Sequence, residues 1–434
     1  MGASRVGVGV PIREKLPQIA LHVRPEAMSL FRAFLPDAVI QGWLSKSGVS
    51  FRRRVYTPLL VFWAMIGQCV DPDHSCSAAV ARVVGWWRQR KAPGQRRNRR
   101  VGYVSPDNGG YCRARDRLPE GLVSAMMRHV GRRLQDCIRA ADKLWGREVV
   151  LVDGMTVSMP DTVELEAEFG KGRGGTKRTV HVFPLARIVS LISLSTGAVL
   201  DAAIGAYVKS EQWLLESMRG ALGSGTVLVG DSLYGSYASL ALFVAQGVDL
   251  ITRPYGTRDF DLRRGRRLGH GDRLVTWRRN RKVWPPWLDR AAVLPDELTL
   301  RLIEVRTLRR GHRPKRVVLV TTLLDPERYS ADDIANLYLR RWEIEIDLRH
   351  LKSVMGMDIL RGKKPEIVRK EIWAYLTAYN LIRTVMWETG VSHDTPPCGV
   401  EFQRDAPTRE YLAGAHRHCP IFTRSQTNGS SHHE

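Results

Sequence analysis

The side chains best equipped for chemistry lie in YLRRWEIEIDLRHLK, where Tyr338, Arg341, Glu345 and Lys352 share one predicted helix. At about 100° per residue, Arg341, Glu345 and Lys352 all fall within about 60° of Tyr338. One face would then carry an aromatic hydroxyl, a guanidinium, a carboxylate and an ammonium, a set that can hold a cation and grip phosphates. Glu343, Asp347 and His350 point elsewhere on that helix. By itself the pattern also describes a salt-bridged solvent face. Two further segments add acids. The apolar run VVLV at 149–152 reads as a buried strand ending at Asp153 and Gly154, and VLV at 227–229 as a second strand ending at Gly230 and Asp231. An aspartate at a strand end is commonly a turn former or a helix cap. Three carboxylates in the order strand end, strand end, helix, with steps of 78 and 114 residues, suit metal-assisted phosphodiester displacement. That chemistry needs carboxylates to place two hard cations on either side of the phosphodiester.

The elements that must position these groups alternate in type. After VVLVD come IVSLISL and AVLDAAIGAY, two core strands joined at STG, then a helix over 211–222, the strand TVLVGD and a helix in GSYASLALFVAQG. Such alternation predicts an α/β sheet. DLITRPY, RLVTW, LTLRLIEVRT and RVVLVTTLL read as strands, so a β-rich insertion separates Asp231 from the helix carrying Glu345. His181, in TVHVFP, reads as a strand-edge residue rather than a ligand. Over residues 1–140, SLFRAFLPDAVIQGWLSKSG, the 56–70 segment, SCSAAVARVVGWW and PEGLVSAMMRHVGRRLQDCIRAAD show the apolar spacing of helices.

Composition narrows the partner. The 67 Lys and Arg against 44 Asp and Glu give a formal charge of +23 over 434 residues, an electrostatic footprint for a polyanion. It does not distinguish DNA from RNA. The densest basic stretches are RQRKAPGQRRNRR at 88–100 and RRGRRLGHGDRLVTWRRNRK at 263–282. Phosphate contacts there would make affinity fall steeply with salt. A hydrophobic content of 44% over this length can fill the cores of two or three domains. The six Cys form no CxxC pair, which argues against a zinc ribbon and for a reduced, cytosolic setting. MGASRVGVGVPIREKLP lacks the uninterrupted apolar core of a signal peptide, and YTPLLVFWAMIGQCV is too short for a comfortable membrane span. A cytoplasmic protein is expected.

Taken in order, these blocks resemble the DDE transposases of bacterial insertion sequences, in the insertion-sequence-four group. That group's signature, Tyr-x2-Arg-x3-Glu-x6-Lys, is met at Tyr338, Arg341, Glu345 and Lys352. VDGMTVSMPDT and GDSLYGSY are similar to its blocks around the first and second aspartates. RRLGHGDRLVTW, VLVTTLLDPERY and VRKEIWAYLTAYNLIRT match as well. The resemblance implies an α/β fold with a ribonuclease-H-like catalytic core over 145–252 and 321–388, a β-rich insertion over 253–320, and a helical DNA end-binding domain over 1–140. It implies that Asp153, Asp231 and Glu345 are catalytic and bind two Mg²⁺ ions, with Mn²⁺ able to substitute. Tyr338, Arg341 and Lys352 would grip phosphates beside the cleaved bond. Family members use the insertion to hold a DNA hairpin or a flipped base, which makes Trp277, Trp284 and Trp287 candidates for base stacking.

The implied activity is binding of double-stranded DNA at the terminal inverted repeats of the element, then metal-dependent cleavage and strand transfer into target DNA. A homodimer on DNA, with no membrane, is the expected assembly. Two alternatives stay open: a decayed copy that binds element ends without transposing, and a ribonuclease-H-fold nuclease without strand transfer. The segment over 389–434 departs from the group's helical ending, with little periodicity and many turn formers. A frameshift or truncation there is the expectation.

Overall fold

The computed structural model describes residues 31–48, 55–89, 105–140, 143–174, 179–256, 264–307 and 315–392. Within them the apolar runs become strands of one mixed sheet: β1 (Val149–Ser158), β2 (Lys171–Gly174), β3 (Thr179–Ser193), β4 (Val199–Ala206), β5 (Val227–Val229) and β6 (Asp249–Thr252). β3 lies antiparallel between β1 and β4, while β5 and then β6 run parallel to β1 on its other side. The order β4-β3-β1-β5-β6 with this polarity is the ribonuclease-H-like topology expected from the sequence. Strands apolar at every position must be buried on both faces, and these are. Val149 and Leu151 enter one core and Val150 and Val152 the other, and β5 divides Val227 and Val229 from Leu228 in the same way. Each such side chain contributes on the order of 1.5–3 kcal/mol.

Helices fill both layers. At the N-terminal side stand α1 (Asp37–Lys46), α2 (Pro58–Val70), α3 (Cys76–Gln89), α4 (Gly109–Arg117) and α5 (Glu120–Asp136), followed by α6 (Val163–Phe169) after β1. The second core is roofed by α7 (Glu211–Ser217) and α8 (Tyr237–Ala245), and the described chain closes with α9 (Ala331–Leu339), α10 (Trp342–Arg349) and α11 (Pro365–Ser392). The N-terminal helices do not enclose a core of their own. They share the first core with α10, α11 and the sheet. Asn380, fully buried on α11, fastens the layers: it accepts from the Val199 N–H (2.8 Å) and donates to Val199 O (2.8 Å) and Met127 O (3.2 Å). Gly131 lets α5 approach this point, since a Cβ there would lie 2.3 Å from Val199 O.

The later strand-like stretches form β7 (Arg266–Gly269), β8 (Asp272–Arg278), β9 (Glu297–Thr307) and β10 (Lys315–Thr321), an antiparallel set joined to the core sheet by the β10–β6 pair. The Arg301 guanidinium, 1% exposed, braces it with two bonds to Asp272 (2.9 and 2.6 Å) and one to the carbonyl of Tyr329, in the turn before α9. Of the second basic stretch, Arg264, Arg266 and Arg267 are exposed on the β7 edge. Arg278 is matched by Glu297, and Arg279 and Arg281 by Asp296. Of the tail expected to be irregular over 389–434, residues 389–392 instead continue α11, while 393–434 and the basic stretch at 90–100 lie outside the described residues. Among those described, no helix is long and apolar enough to cross a membrane.

Candidate active site

Strand register brings the two aspartates level. β1 and β5 pair in parallel as far as Leu151 and Val229, and the pairing stops there. Asp153 and Asp231 each lie two residues beyond that last pair, so strands about 4.8 Å apart release them side by side. This is the carboxyl edge of a strand pair, where open α/β sheets form their ligand sites. The expectation that the first strand ends at Asp153 is corrected: β1 runs on to Ser158 because β3 keeps supporting its other edge, with Asp153 opposite Ser190. Both carboxylates are steadied locally. Asp153 Oδ1 accepts from the Gly154 N–H (2.8 Å), and Asp231 Oδ1 from the Leu233 N–H (2.8 Å), capping the 3-10 turn Ser232–Tyr234.

The segment carrying the other four residues is not one helix. α9 stops at Leu339, Arg341 stands at the N-cap of α10, and His350–Val354 opens into a π-helical turn. That wider turn, closed by the Met355 N–H on His350 O, shifts Lys352 from the phase a regular helix would give it. Lys352 sits half-exposed on it. Tyr338 is half-buried against the first core, and burial raises its hydroxyl pKa, with Arg253, Arg341 and Asp231 acting on it electrostatically. The Arg341 guanidinium links two of the acids, donating to Glu345 Oε1 at 2.7 Å and standing 4.0 Å from Asp153 Oδ2. Glu345 is 54% exposed and turned to Arg341. Among the described residues, no three carboxylate, imidazole or thiolate groups converge tightly enough to hold one ion as they stand.

The neighbouring acids behave as the helical phase predicts. Glu343 pairs outward with Arg340 (2.7 Å), while Asp347 is buried and bonded to Arg383 of α11, which pins α10 in place. His350 lies 4.0 Å from Asp347, and burial together with Arg383 and Arg349 lowers its pKa to about 4.

A fourth acid escaped the sequence reading. Glu211, the first residue of α7, follows the N-cap Ser210 and so looks like an ordinary helix start. Its carboxylate accepts from the Tyr234 hydroxyl (3.0 Å). Burial pushes Asp153 up to about 6, the Gly154 N–H and Arg341 oppose, and Asp231 and Glu211 add to the rise by like-charge repulsion. Glu211 is raised as well, chiefly by burial. Clustered, incompletely neutralised carboxylates with hard oxygen donors are the electrostatic setting a divalent cation relieves.

The three tryptophans fare differently. Trp277 is 5% exposed, turned inward from β8 and edge-on to Tyr237, so strand alternation buries it and it is withdrawn as a stacking platform. Trp284 and Trp287 are half-buried against the same core, with Trp284 Nε1 donating to Leu288 O at 3.1 Å.

The sheet order is that of a ribonuclease-H-like fold, with Asp153, Asp231, Arg341 and Glu345 gathered where the β1–β5 pairing ends. The transposase DDE domain family matches residues 144–381, more than half of the chain. The chain is 27% identical over 372 residues to the transposase InsG for insertion sequence element IS4 of Escherichia coli strain K12, covering 81% of this chain and 75% of that protein. It is 35% identical over 131 residues to the transposase for insertion sequence element IS421 of Escherichia coli, covering 27% and 34% respectively. Among solved structures, the piggyBac transposase synaptic complex with hairpin DNA superposes with a TM-score of 0.42 at 10% identity, over 85% of this chain and 76% of that one. The chain belongs to the DDE transposases, in the insertion-sequence-four group, enzymes of DNA cleavage and strand transfer that use divalent metal ions.

Proposed function

We propose that this transposase acts on the terminal inverted repeats of its own insertion sequence as a cytoplasmic homodimer. Asp153, Asp231 and Glu345 hold two Mg²⁺ ions at the bond it cuts, and Mn²⁺ can substitute. The observation that carries this reading is the in-register β1–β5 pair, which sets both aspartates at one level, with Arg341 reaching from Asp153 to Glu345. The donor set suits the ions in kind, all carboxylate oxygen, with Asp153 and Asp231 level on neighbouring strands and Glu345 tied to Asp153 through Arg341. When bound, the ions activate the attacking oxygen and stabilise the leaving one.

The remaining roles follow from side-chain chemistry. Arg341 releases Glu345 and turns its planar fork to a phosphate of the DNA, an exchange of one charge-assisted bond for another. Tyr338, beside Asp231, offers a hydroxyl to the same backbone, and Lys352 a mobile ammonium. Trp284 and Trp287 remain as base platforms. The helices within 1–140 engage the element ends, the segments 145–252 and 321–388 carry the chemistry, and 253–320 supports the DNA beside it, a reading supported by the charge of +23.

The test is strand transfer with a pre-cut end bearing a free 3′-hydroxyl and a supercoiled target. Joined product in Mg²⁺ supports the proposal. Hydrolysis without joining would identify a nuclease, and end binding without either reaction a decayed copy.

A further inference from the structure

The apolar run that carries β3 through the middle of the sheet is broken by two serines, Ser190 and Ser193. Ser193 has a structural task, since its Oγ accepts from the Thr196 N–H (3.3 Å) in the turn to β4. Ser190 has none. It is fully buried, and its Oγ finds no hydrogen-bond partner among the described residues. A hydroxyl in that state costs free energy that an alanine of nearly the same size would not. Such a cost is explained where the donor is kept for a working state. Register says where this donor can go. Ser190 stands directly opposite Asp153 on β1 and Ala202 on β4, so the three side chains leave one face of the sheet. It is the face of Leu151, Met155, Ile188 and Ile192, which α10 covers with Ile344 and Leu348. The Cβ atoms of an opposed pair lie about 4.5–5.5 Å apart, close enough for a serine-to-carboxylate bond once either side chain rotates at χ1. Of these neighbours Asp153 alone has a polar side chain. Its carboxylate is lightly held: Oδ1 accepts from the Gly154 N–H at 2.8 Å, and Oδ2 stands 4.0 Å from the Arg341 guanidinium. An ionised carboxylate has room for further donors.

We propose that Ser190 is a positioning residue for the reaction: its hydroxyl donates to the Asp153 carboxylate in the DNA-bound enzyme and fixes that carboxylate's orientation once Arg341 has turned to phosphate. The inference rests on the reading of Asp153 as a catalytic carboxylate. The experiment compares the full chain as wild type, Ser190→Ala, Ser190→Thr and Asp153→Asn. Thermal midpoints are taken without metal or DNA, and Mg²⁺-dependent cleavage of DNA carrying the element ends is resolved into kcat and KM. For Ser190→Ala we expect a midpoint equal to or above wild type, an unchanged KM and a kcat about tenfold lower. Ser190→Thr returns the hydroxyl and should recover most of that kcat. A wild-type kcat in Ser190→Ala overturns the proposal, because a residue selected only for its size tolerates alanine. A lowered kcat accompanied by a lowered midpoint overturns it as well, since packing then accounts for the loss. Ser190→Thr that folds as stably as wild type yet cuts no faster than Ser190→Ala is equally contrary. Should the added methyl unsettle the core, the alanine comparison decides alone. Wild-type cutting by Asp153→Asn overturns the site reading and this inference with it, whereas an inactive Asp153→Asn beside a fully active Ser190→Ala overturns this inference alone.

Discussion

Replacing Gly154 by alanine tests the packing of the site through one methyl group. The new Cβ would stand 2.5 Å from Glu211 Cδ and 2.6 and 2.7 Å from its oxygens, well inside ordinary contact. β1 is held on both faces and by β3, so the strand has little freedom to retreat. The carboxylate is the movable partner. Swinging it out breaks its bond to Tyr234 and leaves a buried hydroxyl without an acceptor, a loss of roughly 1–3 kcal/mol, partly offset because a buried charge returns to water. We expect Gly154→Ala to destabilise the protein by about 1–2 kcal/mol in chemical denaturation. DNA cleavage should fall on the order of a hundredfold, since Asp153 is the adjacent residue and displacements near 1 Å carry such penalties. In a Glu211→Ala background the methyl meets no carboxylate, so Gly154→Ala there should be neutral or slightly stabilising. The double-mutant cycle would then show a coupling of at least about 1 kcal/mol. Strict additivity of the two substitutions would refute the contact between Glu211 and the β1 backbone.

Other consequences can be measured separately. Asn380→Leu strands the N–H and carbonyl of Val199, and we expect a loss of about 2–4 kcal/mol in denaturant unfolding with little change in cleavage rate at low temperature. Arg301→Leu leaves Asp272 buried without its partner and should cost about 3–5 kcal/mol, whereas Arg301→Leu/Asp272→Leu should recover most of it. For His350 the folded pKa of about 4 lies below the unfolded value near 6.5, so its contribution is present above pH 6.5 and is lost as pH falls toward 4. Between pH 7.5 and 5, wild type should lose roughly 2 kcal/mol more than His350→Gln, a difference in which the opposite trend of the raised Asp347 carboxyl cancels.

Local pattern was legible in the sequence. The apolar runs before Asp153 and Asp231 announced strands because both faces of a central strand are buried, and helical spacing put Arg341 and Glu345 within reach of each other, where they pair. What was not legible depends on long-range contact. The interruption between Leu339 and Trp342 and the π-helical turn at His350 carry no proline or glycine to signal them. Glu211 reads as a helix start until Gly154, distant in sequence, is seen beneath it. Trp277 ends a stretch already read as a strand, but which way that strand's alternation turns it, into the core, shows only in the packing of β8. The β-rich stretch looked like an insertion apart, whereas Val320 opposite Thr252 makes it part of the catalytic sheet. Asp347 gave no hint that Arg383 would hold it.

The account turns on three carboxylates acting as one centre. Its most direct test is Mg²⁺-dependent cutting of DNA carrying the element's own terminal repeats by wild type, Asp153→Asn, Asp231→Asn and Glu345→Gln, at protein concentrations that give equal binding. The account predicts cutting at the repeat boundary by wild type alone, with DNA binding retained in all three variants. Cutting at the wild-type rate by any one of them would contradict it.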